Sequence, residues 1–246
     1  MAEQERPSRR HKLVAAAASL LLVGACDEAR PVDPLKAGEL DASIRFVSEF
    51  TRSHECSPLT DYVAPTIGSV YRYRRDDGLR SERSIMDVRG SLVTFEYRDL
   101  AQPRALPARR TWAGIFVAGL AGAPNGSTRY ERDPMDVLAE LRPGASESIG
   151  VRRSVRINGR IETQRFPTLI KFEACGTVLV SGRQVPVRVY RVSSASRVPK
   201  AAQGDLVRRS QTTYYLSEET GFPIVVQDRV TAVVERISVP SSATLS

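Results

Sequence analysis

The chain has 246 residues and a formal charge of +8, with nearly all of the excess base outside the N-terminus carried as Arg. The roughly 220 residues that follow an N-terminal signal suit one domain, with roughly 70% of the unfolded chain's surface buried on folding. Past the first 26 residues no apolar stretch is long enough to span a bilayer.

In chain order, Arg6, Arg9, Arg10, His11 and Lys12 form a positive n-region, and Leu13 to Val23 is an apolar run broken only by Ser19. Val23-Gly24-Ala25-Cys26 closes it. This is the layout of a secretory signal over residues 1–25, too short for a spanning helix. The tetrapeptide also resembles the lipobox of bacterial lipoproteins, an aliphatic residue and two small ones before cysteine, with Gly24 a less common choice at its position. That resemblance implies diacylglyceryl transfer to the Cys26 thiol, cleavage before it, and a membrane anchor of two or three acyl chains. One chain alone holds reversibly, at about 0.8 kcal/mol per buried methylene. A cleaved soluble precursor or an uncleaved anchor is the alternative. Asp27 resembles the inner-membrane retention signal of enterobacterial lipoproteins, which implies the periplasmic face of the inner rather than the outer membrane. Nucleic acid is a poor partner for an exported chain.

Residues 26–37 are charged and proline-bearing, a spacer lifting a single domain (38–240) off the bilayer. Leu40, Ile44 and Val47 at helical spacing predict an amphipathic helix over 38–52. Strands follow at 70–74, 80–89 and 92–98, with turns at Asp77-Gly78 and Arg89-Gly90. The apolar run 111–123 reads as one buried strand, or as an exposed loop in which Trp112, Ile115 and Phe116 touch a membrane or cargo. Asp133 and Pro134 start a short helix over 134–141. Further strands are expected at 146–157, 160–166, 169–181, 185–190, 206–216 and 222–238, with a turn at Asn158-Gly159, a loop over 195–205 and a disordered tail over 241–246.

The fold class expected is mainly β (α+β): a curved, mostly antiparallel sheet of about ten strands with two helices. Ten strands at ~4.8 Å spacing span more than 40 Å, and one helix ~10 Å across covers about two of them. Such a sheet must curl into an open barrel or split into two layers. A curled sheet with a helix in its mouth resembles the lipoprotein-carrier (Lol) type of open barrel. That resemblance implies a concave apolar face for a lipid acyl chain or other apolar ligand, lined by Tyr71, Tyr73, Phe95, Tyr97, Phe172, Tyr190, Tyr214 and Tyr215. The plainer reading is that these aromatics fill the core.

Cys56 and Cys175 remain once Cys26 is acylated, and an even pair in an oxidising compartment predicts a disulfide, with two buried thiols as the alternative. Arg pairs at Arg74-Arg75, Arg109-Arg110, Arg152-Arg153 and Arg208-Arg209 suit either a solvated strand face or anionic headgroups. The only histidine past the signal is His54; beside Glu55 and Cys56 it supplies too few ligands for a closed zinc site. No nucleophile elbow, Walker loop or dinucleotide fingerprint occurs. The expectation is therefore a protein without metal or cofactor and not an enzyme: a ligand binder, or an interaction module or structural part of an envelope assembly.

Overall fold

The computed structural model describes residues 47–121, 127–157, 160–198 and 206–241. Residues 1–46, including Cys26, Asp27, the spacer and the start of the expected first helix, lie outside the described residues, as do the Asn158-Gly159 turn and residues 242–246.

Thirteen strands form one sheet: β1 (Phe50–Arg52), β2 (Val70–Arg75), β3 (Arg80–Arg89), β4 (Leu92–Asp99), β5 (Ala108–Ala113), β6 (Phe116–Ala121), β7 (Ser127–Tyr130), β8 (Ser146–Ile157), β9 (Arg160–Val180), β10 (Arg183–Val198), β11 (Leu206–Ser217), β12 (Pro223–Gln227) and β13 (Thr231–Ser238). Every pairing is antiparallel. Each strand from β2 to β12 pairs with the next in sequence, and β13 returns to pair with β2. The pairing of β8 with β9 therefore makes a ring of twelve strands. Closure is how a sheet this wide buries its face and removes its edges. Among the described residues the thinnest join is β6 to β7, with the bridge Gly119–Ser127.

β9 is long enough to serve three neighbours. Its first part, Arg160–Lys171, pairs with β8, Gly176–Val178 pairs with β1, and Thr168–Val180 pairs with β10. Alternate residues here enter different cores. Ala174, Val178, Val187, Val189 and Tyr215 join a cluster with Tyr71, Tyr73, Phe95, Trp112 and Phe222. Cys175, Tyr190 and Leu216 join a second cluster with Leu59, Phe116, Leu138 and Phe172. Successive strand side chains point to opposite faces, so this stretch is buried on both.

The second face is covered by α1 (Pro134–Glu140) and by the irregular segment 53–66. Asp133 caps α1, its Oδ1 accepting from Met135 N at 2.8 Å, with Pro134 at the first helical position. The segment is held by the Cys56–Cys175 disulfide, Cα–Cα 5.3 Å, by Arg188 Nε donating to Ser57 O at 3.1 Å, and by Tyr62 Oη donating to Gly221 O at 2.9 Å. Gly221 (φ +56°) has no room for a side chain, since a Cβ there would lie 1.7 Å from Val63 O.

Several expected boundaries are corrected. Residues 50–52 are strand rather than the end of a helix, because they extend the edge of β9 beyond β8. The run expected as one strand over 111–123 is a hairpin as far as Ala121, β5 turning through Gly114 (φ +57°) into β6; residues 122 and 123 lie outside the described residues. Residues 160–180 are one strand; Pro167 lies in it opposite Gly150, just where the β10 ladder ends at Thr168, so the missing N–H costs no bond on that side. β10 continues through Val198, and 222–238 folds back at Asp228–Val230 into β12 and β13.

Candidate functional site

The structure disperses the aromatics of the sequence reading. Tyr71, Tyr73, Phe95, Phe172, Tyr190 and Tyr215 are fully buried within the two core clusters. Tyr71 and Phe95 meet Phe222 at 4.7 and 5.4 Å, Phe172 stacks on Tyr190 at 4.7 Å, and Tyr215 meets Phe50 edge-on at 5.5 Å. Tyr97 is half-buried beneath the Arg110 guanidinium, 5.1 Å from its ring. Trp112, Ile115 and Phe116 are buried, which places the β5–β6 turn in the core and not on a membrane-facing loop.

One cavity of about 170 Å³ does open within the strands, and Tyr214, Ile115 and Phe116 are among its walls. β6, β7 and β8 supply Val117, Thr128, Tyr130, Val151 and Arg153; β9, β10 and β11 supply Phe166, Thr168, Val192, Ser194, Ser210 and Thr212. The apolar residues stand beside a band of hydroxyls, in which Ser194 and Ser210 are hydrogen-bonded across the sheet at 2.8 Å. Tyr130 Oη donates to Val117 O at 2.8 Å and so bridges the thin β6–β7 join. Among the described residues no carboxylate lines the cavity, and the one charged residue there is Arg153.

Behind Tyr214 lies a feature that the sequence reading missed. Trp112 packs edge-on against Tyr214 at 5.9 Å, and the Arg83 guanidinium stands 5.0 Å from the Trp112 ring, 4.2 Å from Tyr73 and 5.7 Å from Phe95. Arg83 is only 8% exposed. Its Nη1 donates to Tyr73 Oη at 3.4 Å, and Tyr73 in turn donates to Pro223 O. Arg83 Nε, Arg110 Nε and Trp112 Nε1 are buried without a hydrogen-bond partner. Among the described residues no ion pair includes Arg83, Arg110 or Arg153, whereas Arg72, Arg188 and Arg191 meet Glu82, Glu218 and Glu173. Burial, and then the charge of Arg83, push the Arg110 guanidinium below its ordinary pKa. Burial pushes the Tyr214 phenol up, a hydrogen bond with Thr212 and the charges of Arg83 and Arg110 pull it down, and the Asp228 carboxylate pushes it up, so phenol and guanidinia share one neighbourhood. A desolvated cation–π contact contributes about 2 kcal/mol, short of the several kcal/mol lost when one ion leaves water.

Strand alternation holds the signal for these residues. Ser81, Arg83 and Ile85 fall on one face of β3, and Arg110 is two residues before Trp112 and opposite Phe95. An Arg at an inward position of an alternating strand is the clue. The Arg109-Arg110 pair likewise splits, Arg109 exposed and Arg110 turned inward, and Arg153 reaches the cavity. His54 is exposed, Cys56 is oxidised, and among the described residues no three His, Cys, Asp or Glu side chains converge.

No family model matches this chain, and no curated protein is similar to it. Among solved structures it is similar to the hypothetical lipoprotein YmcC from Escherichia coli, at 13% identity and TM-score 0.43, over 70% of this chain and 85% of that one. A protein with a YmcC-like fold from Bacteroides fragilis and a protein described as a lipoprotein from Parabacteroides distasonis each show 10% identity and TM-score 0.40, over 75% of this chain and 100% of theirs. Likeness at this distance lends the chain no function.

Proposed function

We propose that this chain is an envelope lipoprotein, held by acyl chains on Cys26 at the periplasmic face of a membrane, and that its ring of strands binds a small ligand with an apolar body. It acts by binding and not by catalysis. The anchor is supported by the signal layout ending at Cys26. The Cys56–Cys175 disulfide suits the oxidising compartment to which such a signal leads.

The cavity bounded by Ile115, Phe116, Phe166, Val192 and Tyr214 carries the binding half of the reading. Its 170 Å³ is close to the roughly 150 Å³ of an apolar cavity that admits benzene, and below the 300 Å³ or so at which drug-sized pockets begin. The ligand is therefore one ring in size, or a longer molecule that inserts only its end.

The test is to purify the full chain in mild detergent, extract it, and compare the extract by mass spectrometry with that of Val192→Trp, which fills the cavity. A small apolar compound present in the first and lost in the second, with unchanged circular dichroism, is expected. Identical extracts would refute binding in this cavity.

A further inference from the structure

We propose that the cavity takes a ligand carrying an oxyanion, a carboxylate or phosphate, and that Arg83 and Arg110 are its counter-charges; this rests on the cavity being a ligand site. Three observations carry it. The first is a set of donors without acceptors: Arg83 Nε, Arg110 Nε and Trp112 Nε1 are buried N–H groups with no partner. A guanidinium has donors only. Around Arg83 the rings of Tyr73, Trp112 and Phe95 offer π faces, and such faces satisfy the charge through the flat side of the group but give its in-plane N–H groups nothing to bond.

The second is the charge balance. Two guanidinia near one another, neither ion-paired among the described residues, stand behind a cavity whose lining, among the described residues, holds Arg153 and no acid. Water could satisfy single N–H groups, but it offsets neither charge. An anion in the cavity offsets both. The third is connection. Tyr214 is both a wall of the cavity and the edge-on neighbour of Trp112, which lies under Arg83. The positive field therefore reaches the cavity across one ring, and Arg153 on the cavity lining adds to it.

Isothermal titration calorimetry on the full chain in micelles, with micelle blanks, tests this using benzoate, benzyl alcohol and sulfate. Benzoate should bind at least about tenfold more tightly than benzyl alcohol, whose ring is the same and whose charge is absent. Arg110→Gln should remove that preference and leave benzyl alcohol unchanged, while Arg110→Lys keeps most of it. Sulfate binding alone would sustain the anion site and defeat the apolar-ligand reading. Equal affinities for benzoate and benzyl alcohol would overturn the anion site and leave the cavity reading standing. Equal loss of both ligands in Arg110→Gln would also overturn it, and silence from all three compounds would overturn both.

Discussion

Tyr73 and Tyr190 are both sealed from water, yet their hydroxyls stand in opposite situations. Tyr73 Oη donates to the Pro223 carbonyl and accepts from Arg83. Tyr190 Oη is buried with no partner, while its ring stacks on Phe172. Removing a hydroxyl that serves two buried partners strands them and costs about 1–3 kcal/mol, whereas removing an unpaired one costs little. Tyr73→Phe should therefore lower the free energy of urea unfolding by that much, and the midpoint with it, and Tyr190→Phe should leave both level or raise them, each with an unchanged m-value. Equal losses would contradict the two bonding patterns. Both tyrosines were readable from alternation as facing one side of a strand. Alternation fixes the face and is silent about what stands opposite, so the same pattern that marked eight aromatics as ligand-facing in fact marked core packing for six of them. The inward Arg83 and Arg110 were equally visible in register but not in chemistry, because the absence of a carboxylate partner is a tertiary fact.

The strands with a strict period were legible almost to the residue: β3, β8 and the β2–β4 meander follow alternation punctuated by Gly78 and Gly90. What escaped were joins without turn chemistry. Asp228–Val230 turns β12 into β13 with neither Gly nor Pro, and the β5–β6 turn hides inside an apolar run because Ile115 beyond Gly114 is itself core. Gly114 is needed twice there, for its φ of +57° and because a Cβ would lie 2.7 Å from Met135 Sδ of α1. The irregular 53–66 segment had only one visible tie, the cysteine pair, and that tie is present. It closes a loop of 119 residues, for which the chain-entropy model gives about 5 kcal/mol and practice often less. Because Tyr62, Leu59 and Arg188 hold the segment independently, reduction should leave the fold intact and act on the unfolded chain. Cys56→Ser with Cys175→Ser is expected to retain native circular dichroism while losing about 2–5 kcal/mol in urea unfolding. A midpoint indifferent to the disulfide would show that the bond does not constrain the unfolded chain as supposed.

At the scale of the molecule, the ring of strands buries its tyrosines so thoroughly that alkali should open it. Burial pushes Tyr62, Tyr71, Tyr73, Tyr130, Tyr190, Tyr214 and Tyr215 above the ordinary value of 10, with Tyr71 and Tyr215 pushed up to about 12. These groups are spread over both core clusters, so no local opening releases them all. Below pH 10 they are protonated in folded and unfolded chains alike, and their contribution is complete. Between pH 10 and 12 the unfolded chain gives up protons that the folded one keeps, so fewer protons are bound unfolded and stability falls with pH. A displacement from 10 to about 12 at Tyr71 is worth about 3 kcal/mol once fully collected. Several such contributions together match the 5–15 kcal/mol stability of an ordinary domain. The ring should thus unfold in one cooperative step in that window, with tyrosinate absorbance and far-ultraviolet circular dichroism changing together. Tyrosines that titrate smoothly around pH 10 while the strand signal persists would mean that water reaches them in the folded ring, and with it the sealed core on which the cavity and its cationic wall depend would be lost.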